Sequence, residues 1–473
     1  MTSSSLPGMG MGTDADIARS IQASIPPAGL FAGQRWRISP EPFPLPRKIV
    51  AELDSLGRVL VAFYRAVGLL YRRSVAGQEP PWVAQWLDQG KPADLRDWQR
   101  APNLKNEIPR VIRPDLLLLD DGLVITELDS VPGGIGLTAW LNQVYARVPL
   151  TSGPAKLPTP LDPSAAAGDS RLTSRAIVGG ADGMLRGFEA IFGQASRVHI
   201  VVSEESSTYR PEMEWLAGQL GPRFRVQSAS FSDFEKGDAV YRFFELFDLG
   251  NVKNAGRIME MALAGDITLT PPPKPIFEEK MLFALLWNRN LRGFWRRELG
   301  QGFLDRLWRL VPYTWLIDPA PLPPHAAIPE LNLTDWQQLK ALSQRERDLI
   351  LKVSGFAETA WGARGVYLGS DLPLPDWSAA VDLALREFER SPFVLQRYHK
   401  PTVVQTRWFD FDAEEVNPMN GRVRLCPFYF VNGEGDAARA RLGGVLATIC
   451  PADKKIIHGM TEAILAPCSY EQP

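Results

Sequence analysis

Four charged residues bracket one short acidic turn: Arg113 and Asp115 before it, Glu127 and Asp129 after it. Short apolar runs flank Asp120, Asp121 and Gly122, which is a hairpin signature. With a three-residue loop and Gly122 in the left-handed position, Leu119 faces Leu123, Asp115 lies opposite Glu127, and Arg113 lies opposite Asp129. Strand side chains alternate, so all four then project from one face. Opposed carboxylates about 5 Å apart at Cβ repel each other. A divalent cation between them removes that repulsion, and Arg113 offers a fork for phosphate. A two-residue loop would shift the register by one and send Asp115 and Glu127 to opposite faces. A hairpin whose charges are simply solvated fits the same residues. Pro132, Gly133 and Gly134 follow, either baring the backbone for a ligand or merely turning the chain into the next helix.

Further cations stand downstream. Lys352 ends the apolar run LILK before a Gly-bearing loop, where a lysine can meet phosphate as a point charge or lie on the surface at a strand end. That loop, SGFAETAWGARG, carries Gly355, Gly362, Gly365 and Arg364 and lacks the Walker A pattern. Lys280 stands on a helical stretch shared with Met281, Ala284, Leu285 and Asn288, where a solvated flank is the bland alternative. No G-x-G-x-x-G follows a strand, and no G-x-S-x-G elbow surrounds Ser130 or Ser354, which disfavours dinucleotide folds and serine hydrolases. Cys426 sits in an apolar strand without a nearby histidine and reads as core. With 3 cysteines and 4 scattered histidines, any metal ligands must be carboxylates, which suits Mg²⁺.

The elements that position these residues can be read along the 473-residue chain. Residues 1–30 read as a disordered tail, with neither the basic nor the apolar stretch of a secretory signal. A packed helix covers about 47–72, and a Trp-bearing polar stretch leads to the hairpin. A helix after the glycines and a loop rich in Pro, Ser and Ala (about 150–172) follow. Strands SRVHIVV, RFRVQSAS and DAVYRFFEL, with helix PEMEWLAGQL between, predict a small parallel sheet. PPPKP at 271–275 reads as a rigid linker, and a long amphipathic helix follows over about 278–299. From about 347 onward the pattern is α+β. A net charge of −2 gives no field for nucleic acid or an anionic membrane, and no apolar run is long enough to span a bilayer. The cysteine usage predicts a reducing, cytoplasmic setting.

The residues also resemble a family. Arg113-x-Asp115 followed by Glu127-x-Asp129 is similar to the metal-binding signature of the glutathionylspermidine synthase-like enzymes. The likeness recurs in order in EKMLFALLW, LILKVSGFAETAWGARGV, FVLQRYHKPTVV, RVRLCPFYFVNGE and RLGGVLATI. It implies an α+β/α/β fold: a circularly permuted ATP-grasp, with a helical N-terminal region and an inserted small parallel-sheet domain resembling a pre-ATP-grasp domain. The expected organisation is a tail over 1–30, helices and the first part of the core over 31–185, the small α/β domain over 186–270, and the rest of the core over 271–473. It further implies an ATP-dependent carboxylate–amine ligase working through an acyl phosphate, with small-molecule substrates, polyamine or peptide among them, and neither nucleic acid nor membrane as partner.

Carried over by position, Arg113 would contact the transferring phosphoryl group, and Asp115, Glu127 and Asp129 would bind Mg²⁺. Lys280 and Lys352 would contact ATP phosphates, and the loop containing Ser354, Gly355, Gly362, Arg364 and Gly365 would close over them. Gln396, Arg397 and Tyr398 would border the adenine. Two departures matter. Asp129 stands where the family usually has Asn, adding a negative charge. Thr448 stands where the family has a phosphate-touching Arg, so another cation, Arg422, Arg424 or Arg441, must fill in or transfer is weakened. No cysteine precedes Cys426, so the N-terminal region offers no nucleophile for the amidase domain of some members, and the synthetase part alone is expected here. A nucleotide-binding pseudo-enzyme and a partner-binding protein remain the alternatives.

Overall fold

Both ends of the chain contribute to one seven-stranded sheet. The computed structural model describes residues 13–26, 36–147, 176–360, 364–457 and 462–471. The sheet runs in the order Phe43–Leu45, Ile464–Tyr470, Arg439–Pro451, Glu415–Asn432, Val111–Leu119, Gly122–Asp129, and Val403–Asp410 pairs with Glu415–Asn432. Helix Arg47–Val75 packs on this sheet and is buried along one face from Val50 to Ser74. That apolar stripe at helical spacing is what made it legible. Tyr429 fixes the crossing, its hydroxyl donating to the Leu53 carbonyl at 2.7 Å inside the core.

The small sheet is wholly parallel, in the order Phe224–Ser228, Val198–Val202, Ala239–Phe243, Thr268–Thr270. Its first three strands fall where the apolar runs place them. The fourth, short strand and helix Ala255–Ala264 are additions the sequence reading lacks. A third sheet, antiparallel, runs Val366–Leu368, Leu349–Val353, Phe393–Arg397, Thr314–Leu316, and helix Leu374–Arg386 buries Trp377, Ala380, Val381 and Ala384 against it.

Several expectations are corrected. Within the expected tail, Asp14–Ala23 is a helix closed by a Thr13/Asp16 capping box and burying Ile17, Ala18 and Ile21. Residues 1–12 and 27–30 lie outside the described residues, as does the Pro/Ser/Ala-rich loop at 150–172. The expected linker at 271–275 is buried throughout, and Lys274 donates to the Glu107 carbonyl at 2.8 Å. The single helix expected over 278–299 is two, Met281–Trp287 and Arg292–Leu310. Asn288 breaks it: its extended backbone leaves the helix, and its side chain caps the Asn290 amide at 3.0 Å. Among the described residues no helix is long and apolar enough to cross a membrane.

The hairpin carries the most informative correction. Leu119 pairs with Gly122, so the loop has two residues and Gly122 begins the return strand. Two residues alone would split the carboxylates between faces. A bulge at Thr126 inserts one unpaired residue and restores the register, so Asp115 again opposes Glu127 and Arg113 opposes Asp129. The Thr126 hydroxyl holds the bulge by donating to the Asp115 carbonyl at 3.1 Å.

Candidate functional site

The bulge does more than correct a register. It takes the Thr126 carbonyl out of the ladder, and Lys352, 226 positions away, donates to it at 3.1 Å. Lys352 also donates to Oε1 of Gln396 at 2.9 Å, and Gln396 in turn donates to Thr314 at 3.1 Å. Lys280 ion-pairs with Glu127 at 2.9 Å and donates to the Ala360 carbonyl at 2.9 Å. Lys280 is therefore the residue capping helix Met281–Trp287, not a residue on a helical arc. All three sheets reach one cleft of about 720 Å³. Its walls include Arg113, Asp115, Glu127 and Asp129 from the hairpin, Lys352 and Gln396 from the antiparallel sheet, and Glu245 just beyond a strand of the small sheet.

Electrostatics inside the cleft follow from burial and pairing. Arg113 donates from Nε to Asp115 at 2.9 Å, pairs with Asp129 at 2.9 Å, and donates to the Gly133 carbonyl at 2.9 Å. Burial alone would lower its affinity for a proton, but Asp115 and Asp129 outweigh burial and raise it. Asp115 is pushed up by burial, yet Arg113 and Arg424 hold its carboxyl below the usual range. Burial wins at Asp129, whose carboxyl rises despite Arg113. Lys280 loses to burial but gains more from Glu127, so it is raised. Lys352 has no such partner, and burial brings it down to about 8.

The remaining expected residues divide. Arg397 and Tyr398 line the cleft, and the Tyr398 hydroxyl donates to the Lys455 carbonyl at 3.3 Å. Ser354 is fully buried behind the cleft, donating to Glu279 and accepting from the Met281 amide at 2.8 Å. Gly355 and Gly365 face neighbouring backbone: a Cβ on either would lie 2.6 Å from a carbonyl oxygen, of Glu278 and Thr359 respectively. Arg364 pairs with Glu205 at 2.9 Å and Glu358 at 3.1 Å and is not among the residues lining the cleft. Gly362 lies outside the described residues. The bare backbone at Gly133 faces Tyr209, whose ring would stand 2.4 Å from a Cβ there.

Of the other cleft residues, Arg424 was one of three arginines considered from the sequence, whereas Glu212 and Glu245 were passed over. Arg424 pairs with Asp115 at 3.0 Å, keeps a buried Nε without a partner, and lies directly across the strand pair from Thr448. Of the three arginines considered for that place, Arg422 is committed to the Pro401 and Ala452 carbonyls. Arg441 is not among the cleft's lining residues. Glu212 accepts from the Gly136 amide at 2.9 Å at the start of helix Ile135–Arg147, and burial lifts its carboxyl to about 7. Glu245 is raised well above the usual range, by burial first and Glu278 second. Nothing in the local pattern around these residues signals a cleft. Cys426 is buried as expected, its thiol pushed up to about 12 by burial, but it also borders the cleft and donates to Asp115 Oδ1 at 3.5 Å.

As oxygen-only donors on one face, Asp115, Glu127 and Asp129 match a hard divalent cation in type. Each is engaged by a cation of the chain, and among the described residues no group of three or more His, Cys, Asp or Glu is arranged to hold a metal ion.

No protein-family model matches the sequence, and no curated protein matches it. In structure the chain is similar to a glutathione synthetase-like effector from Globodera pallida in its apo form, with a TM-score of 0.54 at 12% identity, over 97% of this chain and 96% of that one. At that identity the likeness is one of fold, a mixed α/β architecture shared along nearly the whole chain. A putative gamma-glutamylcysteine synthetase from Methylobacillus flagellatus gives a TM-score of 0.39 at 12% identity over 83% and 88% of the two chains.

Proposed function

We propose that the chain is an ATP-dependent carboxylate–amine ligase with a circularly permuted ATP-grasp core, active on small cytoplasmic substrates. One observation carries this reading: Lys280 and Lys352, far apart in sequence from the hairpin, meet its acidic face in one cleft. Cations and carboxylates that neutralise one another there are complementary to the two halves of a metal nucleotide, cation to phosphate and carboxylate to metal. Asp115, Glu127 and Asp129 would hold Mg²⁺ only after exchanging their arginine and lysine partners for it, since each is ion-paired within the chain as it stands. Mg-ATP would supply the phosphoryl group that makes a substrate carboxylate an acyl phosphate, open to attack by an amine. Arg113, Arg424, Lys280 and Lys352 would spread and stabilise charge developing on the transferred group, in a site where burial strengthens each interaction. Gln396, Arg397 and Tyr398 would border the base. The glutathione synthetase-like name of the structural neighbour agrees with this class without selecting the substrates.

A second reading, a nucleotide-binding protein without turnover, is favoured by Asp115, whose two oxygens are both taken by arginines. ADP release with a panel of carboxylate and amine pairs separates the two. Turnover with any pair supports the ligase. Silence across the panel, beside clear nucleotide binding, supports the second reading.

A further inference from the structure

Glu279 precedes Lys280 in sequence and is not a cleft residue, yet it is one of the most enclosed charges in the chain. Its Oε1 meets Lys91 Nζ at 2.5 Å, with the two side chains 1% and 0% exposed. Its Oε2 accepts from the Ser354 hydroxyl. A buried ion pair carries a heavy desolvation cost and survives only when its remaining bonds are made. Here they are made at a junction of four segments. Lys280 donates its amide to the Ser354 carbonyl at 2.9 Å, and Ser354 donates its own amide to the Pro392 carbonyl at 2.8 Å. The Met281 amide meets the Ser354 hydroxyl at 2.8 Å.

Lys91 is itself held from the N-terminal helices. Gly90 has φ +71, a conformation open to glycine, and lies so close to Arg390 that any Cβ would collide with its carbonyl. Gln89 donates to the Phe388 carbonyl at 2.8 Å, and Asp88 accepts from Tyr71 at 2.7 Å and Gln99 at 2.9 Å. Lys91 Nζ also stands 5.8 Å from the centroid of the Phe356 ring. Phe356 has φ +44, which costs a non-glycine residue on the order of 1–2 kcal/mol and persists only where surroundings impose it. The strained residue is thus at the start of the turn whose far end, Ala360, accepts from Lys280 Nζ.

We propose that Lys91, acting through Glu279 and Ser354, positions Lys280 and the turn from Ser354 to Ala360 against the acidic hairpin. The helical N-terminal region is then a positioning part of the cleft as well as a packing layer. This rests on the ligase reading for the meaning of Lys280, though the strut itself can be tested apart from it.

The test is hydrogen exchange on the full chain, read on peptides covering 279–283 and 353–360, with nucleotide affinity measured alongside by titration with Mg-ATP. Lys91→Met/Glu279→Gln removes the ion pair without leaving a lone buried charge, and Ser354→Ala removes one hydroxyl as a milder variant. In the double variant, exchange in the two peptides should speed up and Mg-ATP affinity should weaken by about tenfold each, and in Ser354→Ala by about threefold, while the peptide over 198–202 is unchanged in both. If the double variant does not fold, Ser354→Ala decides by the same readouts. Unchanged exchange overturns the proposal. So does faster exchange with wild-type affinity, which would mark a merely structural strut. A wild type that binds no Mg-ATP defeats the ligase reading instead, and exchange alone then decides the strut.

Discussion

Two clusters of buried charge in this chain look alike in composition and differ in how completely they are closed. In the small parallel sheet, Asp238 accepts from Arg197 at 2.8 and 2.6 Å and from the Glu235 amide at 2.7 Å, and faces His199 at 3.2 Å. Burial pushes its carboxyl up, but those bonds outweigh it and hold it low. In the hairpin, Asp129 has one arginine and the Val131 amide, and burial still holds its carboxyl high. Arg424 there keeps an unpartnered buried Nε, and Lys352 has lost part of its hold on a proton. A closed cluster contributes stability. An open one, lining a cleft, is unfinished until something of complementary charge completes it.

That contrast can be broken at several points. The largest effect is expected at Lys352→Met, which should lower nucleotide-dependent turnover by roughly a hundredfold to a thousandfold while the fold survives. Equal turnover in steady-state assays would remove Lys352 from the chemistry. Next is Asp238→Asn, which leaves Arg197 and His199 facing a neutral group. It should lower the midpoint of denaturant unfolding while nucleotide affinity stays unchanged. A loss of affinity there would erase the distinction between the clusters.

The smallest effect concerns pH. Glu212 stands at about 7 in the folded chain against 4.5 for an ordinary glutamate carboxyl, so between those values the folded state binds more protons than the unfolded. Stability should therefore fall as pH rises through that window, by at most about 1.4 kcal/mol per pH unit from this group. Glu212→Gln should flatten that slope in thermal melts; an unaltered slope would place the titration elsewhere.

The sequence made the hairpin legible because alternation is a local rule: Arg113 with Asp115, and Glu127 with Asp129, share a face whatever lies around them. The loop length was not legible, since Asp120–Asp121–Gly122 serves a two- or three-residue turn, and only the Thr126 bulge reconciles the true loop with the expected face. Lys352 was visible at a strand end, but its partner carbonyl exists only because of that bulge. Arg424 was one of three candidates, and cross-strand pairing 309 positions from Asp115 decides among them. Ser354 was misplaced because a serine in a glycine-bearing loop looks like a phosphate donor, whereas Glu279 and the Met281 amide use its hydroxyl inside the protein. Glu212, Glu245 and Lys91 carry no local signature, because their importance arises from burial by distant segments.

Magnesium-dependent thermal stabilisation by a non-hydrolysable ATP analogue tests the central claim most directly. At about a hundredfold excess over the dissociation constant, binding should stabilise the wild type by about 2.7 kcal/mol. The account predicts that this stabilisation needs Mg²⁺, disappears in Glu127→Ala, and persists in Asp238→Asn. A wild type whose melting is indifferent to millimolar nucleotide and Mg²⁺ would contradict it.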